Sequence, residues 1–110
     1  MTAERRPVRA TPAFFEDLDR QLPEERESGF PSRADFQAYD LLPLIDRFAT
    51  GFDDLPQLIA GRPQYRVLIA RGRLIPVISA VAQLAVDGAV ELVQLNLDLA
   101  SMWDDAPDDE

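Results

Sequence analysis

The sequence predicts an α+β protein: a short N-terminal strand, two helices and a three-stranded antiparallel meander packed on them. Three observations carry this. Asp87-Gly88 sits between two apolar, β-branched runs, LIPVISAVAQLAV (74–86) and AVELVQLNLDL (89–99), and that dipeptide is a strong hairpin signal. Two upstream stretches each pair a helix-capping residue with apolar positions recurring every three or four residues. The helical stretches are grouped before the strands, an order that belongs to two-layer α+β folds.

Taken in order, Pro7–Ala10 (PVRA) is a short strand candidate. Thr11-Pro12 opens the first helix, with Thr as N-cap and Pro at the first helical position, where its missing N–H costs nothing. Phe14, Phe15, Leu18 and Leu22 fall on one face, with Glu16, Asp17 and Asp19 towards solvent. Pro23 and the charged stretch after it form a loop. Ser32 is a second N-cap, and Asp35 three residues on completes a capping-box pattern. Phe36, Tyr39, Leu42, Ile45, Phe48, Phe52 and Leu55 form the next apolar stripe. Pro43 interrupts it by removing one backbone donor and crowding the preceding turn. The expectation is a kink near Tyr39–Leu42 or a second helix starting at about Leu42, ending near Gly51.

Residues 59–63 (IAGRP) form a turn, and 64–71 (QYRVLIAR) alternate as a strand. Gly72 turns the chain into a strand from Leu74, in which Pro76 places that end at an edge or bulge. A two-residue turn at Asp87-Gly88 fixes the hairpin register. One face then collects Ile78 with Leu97, Ala80 with Leu95 and Ala82 with Val93. The other collects Ser79 with Asn96, Val81 with Gln94 and Gln83 with Leu92, with Val77 opposite Asp98. The first face is apolar and is expected to meet the helices; the second meets solvent, a ligand or a partner. The chain thus divides into one domain, residues 1–99, and an acidic C-terminal tail, residues 100–110.

Composition limits the chemistry. The chain has 110 residues, 20 acids and 11 bases, and carries a net charge of -9. All the bases are Arg, and there is no His or Cys. A Ser-His-Asp triad, a thiolate nucleophile and a Cys-based zinc site are therefore excluded. Acidic spacing gives no metal site, and no Gly-rich phosphate loop or other cofactor motif is present. No cofactor is expected. The acidic balance argues against nucleic-acid binding. No run is long enough to span a membrane, and the start lacks the apolar core of a signal peptide, so the expected location is cytoplasmic.

Two groups of residues are candidate binding positions. Residues 55–86 hold Arg62, Arg66, Arg71 and Arg73 and no acid. Guanidinium forks pair two oxygens at once, so this group reads either as a phosphate or carboxylate clamp or as internal pairing with the acidic helices. The second group is the polar hairpin stripe of Ser79, Gln83, Gln94, Asn96 and Asp98, either a binding surface or the wet side of a sheet. Residues 104–110 (DDAPDDE) hold five acids and no base; they either occupy the Arg cluster or act as a solubilising end.

Two segments carry a family resemblance. VRATPAFFEDLDRQLP looks like the opening strand and first helix of bacterial RelE/ParE-type toxins, and GRPQYRVLIARGRLIPVISAV is similar to their meander. The order of elements extends the resemblance to about Leu99. It implies a toxin-like module neutralised by an antitoxin that wraps its helices and sheet. Ribosome-dependent members of the family cleave mRNA with Lys, Arg and a late Tyr or His. This chain has no Lys or His, and its last strand ends LNLDLASMW. Arg66 and Arg73 stand where family arginines would fit, and nothing matches the rest of the set. Gyrase-inhibiting members act by binding.

The leading expectation is therefore a toxin-like protein of a type II toxin–antitoxin system, or a diverged relative, acting through protein–protein interaction without catalysis. The alternatives are an active ribosome-dependent mRNA interferase and a standalone binding or structural subunit. Expected partners are an antitoxin or another protein, with a homodimer as a further candidate.

Overall fold

A computed structural model describes residues 5–25 and 31–99. The acidic tail, Trp103 and part of the loop after Pro23 lie outside the described residues. The elements are β1 (Val8–Ala10), α1 (Pro12–Gln21), α2 (Arg33–Phe36), a π-helical turn (Gln37–Leu41), α3 (Leu42–Gly51), a 3-10 turn (Phe52–Asp54), β2 (Tyr65–Ala70), β3 (Ile78–Leu84) and β4 (Val90–Leu97). This is an α+β fold, and its sheet has four strands in the order β1-β4-β3-β2. β2, β3 and β4 form the antiparallel meander. β1 adds to it parallel to β4, with Arg9 beside Glu91, so the sheet is mixed.

Both helix starts are built as their sequences require. The Thr11 hydroxyl accepts from the Phe14 N–H, and Ser32 and Asp35 form a reciprocal capping box. Phe14, Leu18 and Leu22 of the first helical face are buried, while Phe15 lies largely outside it. With Phe36, Phe48, Ile75, Ile78, Leu92 and Leu95 they form the core between helices and sheet. Each such side chain contributes roughly 1.5–3 kcal/mol on leaving water.

Pro43 is accommodated by widening the preceding turn. The backbone remains helical from α2 through Gln37–Leu41 into α3, which begins at Leu42. The wider turn inserts a residue and rotates the stripe. Asp40, Leu44, Phe48 and Phe52 now face inward at intervals of four, whereas Tyr39 and Leu42 are exposed.

The hairpin differs from the two-residue turn in a physically informative way. Ala85 donates to the Ala89 carbonyl at 2.8 Å and Gly88 to the Ala85 carbonyl at 3.0 Å, leaving Val86, Asp87 and Gly88 as a three-residue loop. Only Gly88 carries the positive φ, at 90°. Asp87 instead uses its carboxylate to accept from the Ala89 N–H at 3.1 Å. The extra loop residue shifts the nearby pairs to Ala82–Leu92, Gln83–Glu91 and Leu84–Val90. A bulge then absorbs Val93, and the expected pairs Val81–Gln94, Ser79–Asn96, Ala80–Leu95 and Ile78–Leu97 resume. Leu92 is thereby corrected to the core face, and Val93 has no direct partner. The bulge reconciles two apolar sets of opposite parity, Val90 and Leu92 with Leu95 and Leu97, all of which are buried. β3 starts at Ile78 rather than Leu74, because residues 72–77 are drawn into a turn around Asp40.

Helix α1 also completes the sheet edge. β1 stops at Ala10, opposite Leu92. Beyond it, Asp17 accepts from the Leu95 N–H at 2.9 Å, and Gln21 donates to the Leu95 carbonyl at 2.8 Å and accepts from the Leu97 N–H at 2.7 Å. Two side chains thus take the place of a strand and cover an edge that would otherwise be open.

Candidate functional site

The structure separates the four arginines of the first candidate group. Arg66 alternates onto the core side of β2, where it is buried. Its guanidinium donates to the carbonyls of Pro63 (2.6 Å), Asp53 (2.8 Å) and Leu55 (2.8 Å) and lies 5.5 Å from the Phe52 ring centroid. It holds the 53–63 connection against the sheet, so its donors are committed within the chain. Arg62 is exposed on the Gly61 turn.

Arg71 and Arg73 flank Gly72, and both reach a cleft of 530 Å³ between that loop and α3. Arg47 of α3, which segment-by-segment reading did not group with them, lines the same cleft, as do Pro43, Leu44, Ala70 and Ile78. Among the described residues, the side chains of Arg47, Arg71 and Arg73 have no hydrogen-bond or ion-pair partner. The other arginines differ: Arg5 pairs with Asp46, Arg6 with Asp53, Arg20 with Asp17, Arg33 with Asp19, and Arg9 with Asp87 and Glu91.

The two acids of the cleft are already engaged. Asp46 is exposed and meets Arg5 at 2.9 Å. Asp40 is buried, and its carboxylate accepts from three successive backbone N–H groups, Arg73 (2.6 Å), Leu74 (3.1 Å) and Ile75 (3.2 Å). The Gly72 N–H closes the turn on the Ile75 carbonyl at 2.9 Å. Gly is required there for space: a Cβ would stand 2.6 Å from Ile78 Cδ1, 2.7 Å from Asp40 Oδ2 and 2.8 Å from the Ile75 carbonyl oxygen. A buried carboxylate in the widened turn therefore fixes the loop that presents Arg71 and Arg73. Three guanidinium groups without partners among the described residues, lining one cleft, favour an anionic ligand.

The polar stripe lies on the outer face of the sheet, opposite the helices. Three rows cross it: Tyr65, Gln83, Glu91 and Arg9; Val67, Val81 and Gln94; and Ile69, Ser79 and Asn96. Gln83 is tied to Glu91 at 2.9 Å, and Arg9 bridges Glu91 and both oxygens of Asp87. The bonds from Arg9 and the Ala89 N–H hold the Asp87 carboxyl below its usual range; those from Gln83 and Arg9 do the same for Glu91. The turn end of the stripe is thus internally knit. Towards the other end Ser79 is half-buried and Gln94 and Asn96 are exposed, and the Asp98 N–H donates to the Val77 carbonyl at 3.0 Å. Ile69 is 68% exposed on the edge strand β2, beside half-buried Val67 and Val81. The interleaved apolar row was not part of the sequence-derived stripe.

No group of three or more acids arranged to hold a metal ion exists among the described residues, and none of their helices is long and apolar enough to cross a membrane. Comparison with protein-family models, curated proteins and solved structures gives no match.

Proposed function

We propose that this chain is a protein-binding component, toxin-like in the sense of a type II toxin–antitoxin pair or a diverged relative of one, and that it works through the outer face of its sheet. The observation that carries this is the composition of that face. Helices cover one side of the sheet, while the other presents Ile69 at 68% exposure, half-buried Val67 and Val81, and the polar side chains of Ser79, Gln94 and Asn96. An apolar patch on β2 and β3 bordered by neutral hydrogen-bonding groups on β3 and β4 is suited to a protein surface. The strand, helices and meander order is compatible with the toxin-like part of the reading. The commitment of Arg66 to backbone carbonyls weighs against its use on a scissile phosphate.

The test is co-expression with the product of the neighbouring small gene, followed by purification. The expected result is growth arrest on expression of this chain alone, relief by the neighbour, and a complex that Ile69→Glu with Val81→Glu abolishes while leaving the fold intact by circular dichroism. Harmless expression with no complex would refute the toxin-like reading. Ribosome-dependent RNA cleavage lost in Arg71→Ala or Arg73→Ala would establish the interferase alternative instead.

A further inference from the structure

We infer that the cleft between α3 and the 71–75 loop is a docking site for a carboxylate-rich peptide segment, and that its occupant is residues 104–110 of the same chain. The cleft opens on the helix side of the sheet, away from the outer face.

Charge complementarity is the first support. On a chain with a net charge of -9, three arginines without partners among the described residues converge on one cleft. Both of its acids are occupied, Asp46 by Arg5 and Asp40 by three backbone amides. Arginines elsewhere among the described residues, Arg62 apart, find acids or carbonyls within the chain. Residues 104–110 supply five carboxylates and no base, enough for a fork on each guanidinium.

Reach is the second support. Leu97 pairs with Ile78, Ile78 pairs with Ala70, and Ile78 and Ala70 both line the cleft. The end of β4 therefore stands about two strand spacings, roughly 10 Å, from the cleft wall. From Leu99 to Asp104 an extended chain spans up to about 17 Å. The carboxylates can thus reach the arginines without disturbing the sheet. A short tether of this kind gives the segment an effective concentration in the millimolar range, so it competes with any weakly bound external anionic peptide.

The test uses full-length protein in which Asp104, Asp105, Asp108 and Asp109 are changed to Asn and Glu110 to Gln, compared with the unaltered chain. The probe is a fluorescent acetyl-DDAPDDE peptide read by anisotropy at low salt. The neutralised variant is expected to bind the probe at least about tenfold more tightly than the unaltered chain. Adding Arg71→Gln and Arg73→Gln, both on exposed side chains, is expected to abolish that gain. Equal affinity for both chains, or a gain that survives loss of the two arginines, would overturn the proposal. Light scattering separates the source of the segment: a monomer at assay concentration supports the tethered form, and a dimer that dissolves on neutralisation overturns it in favour of a second copy.

Discussion

Replacing Asp40 by Asn probes the buried carboxylate that holds the Arg71–Arg73 loop. The side chain keeps its size and loses one oxygen. In the native structure Oδ1 accepts from Arg73 at 2.6 Å, and Oδ2 accepts from Leu74 at 3.1 Å and Ile75 at 3.2 Å. Whichever oxygen the amide retains, at least one backbone N–H then faces an NH₂ group. A hydrogen bond to a charged acceptor is worth about 1.5–3 kcal/mol, and stranding a buried donor adds about 1–3 kcal/mol. Partial relaxation of the turn brings the expected loss to about 2–4 kcal/mol. At about 4–8 °C per kcal/mol for a domain of this size, the Tm falls by at least about 8 °C. Urea unfolding followed by circular dichroism measures the same quantity, with an unchanged m-value. Asp46→Asn is the control, because its exposed pair with Arg5 contributes at most about 1 kcal/mol. A loss below about 0.5 kcal/mol for Asp40→Asn, the range of ordinary surface changes, would refute the role assigned to the carboxylate.

Gly72→Ala is expected to cost about 1–3 kcal/mol by overpacking, because its Cβ meets the Ile75 carbonyl and Asp40 and not only a movable side chain; thermal unfolding reads it. Arg66→Ala strands the carbonyls of Pro63, Asp53 and Leu55 and is expected to lower stability by about 2–4 kcal/mol, measured by urea unfolding, so any loss of function in that variant must be read against the folded fraction. Asp17→Ala removes the cover of β4 and is expected to cost about 1–3 kcal/mol at neutral pH. Burial pushes the Asp17 carboxyl up, but the Leu95 N–H and Arg20 together outweigh burial and leave it below its ordinary 3.8. The folded state therefore binds the proton less tightly than the unfolded state, so this contribution is complete above about pH 3.8 and is lost as pH falls through the depressed folded value. The stability gap between the unaltered chain and Asp17→Ala should narrow in that acid window, and a gap that widens there would contradict the assignment.

Local signals in the sequence carried much of the architecture. Thr11, Ser32 and Asp35 act through hydrogen bonds within one turn, and Asp87-Gly88 brings its flanking runs together, so each could be read from neighbouring residues. The pairs next to the turn were misplaced by one residue, and the pairs from Ile78–Leu97 to Val81–Gln94 match the expected register because the bulge at Val93 cancels that shift. The bulge at Val93 was encoded as a change of parity between Leu92 and Leu95, but only pairing against β3 and cover from the helices reveals which parity prevails where. β1 is too short to announce its partner. The candidate site was less legible because it depends on chain returns. Asp40 is four residues from Phe36 and sits on the same stripe, yet an apolar count passes over it; its burial makes sense only once the amides of Arg73, Leu74 and Ile75 arrive. Arg47 joins Arg71 and Arg73 across the fold, while Arg66, close to them in sequence, lies near the other end of β2 and is tied to the carbonyls of Pro63, Asp53 and Leu55.

Hydrogen–deuterium exchange on this chain, with and without the product of the neighbouring small gene, tests the outer-face account most directly. The account predicts added protection in Tyr65–Ala70, at Ser79–Gln83 and at Gln94–Asn96, with α1 and α3 unchanged. Protection confined to the helices, or none at any ratio of the two proteins, would contradict it.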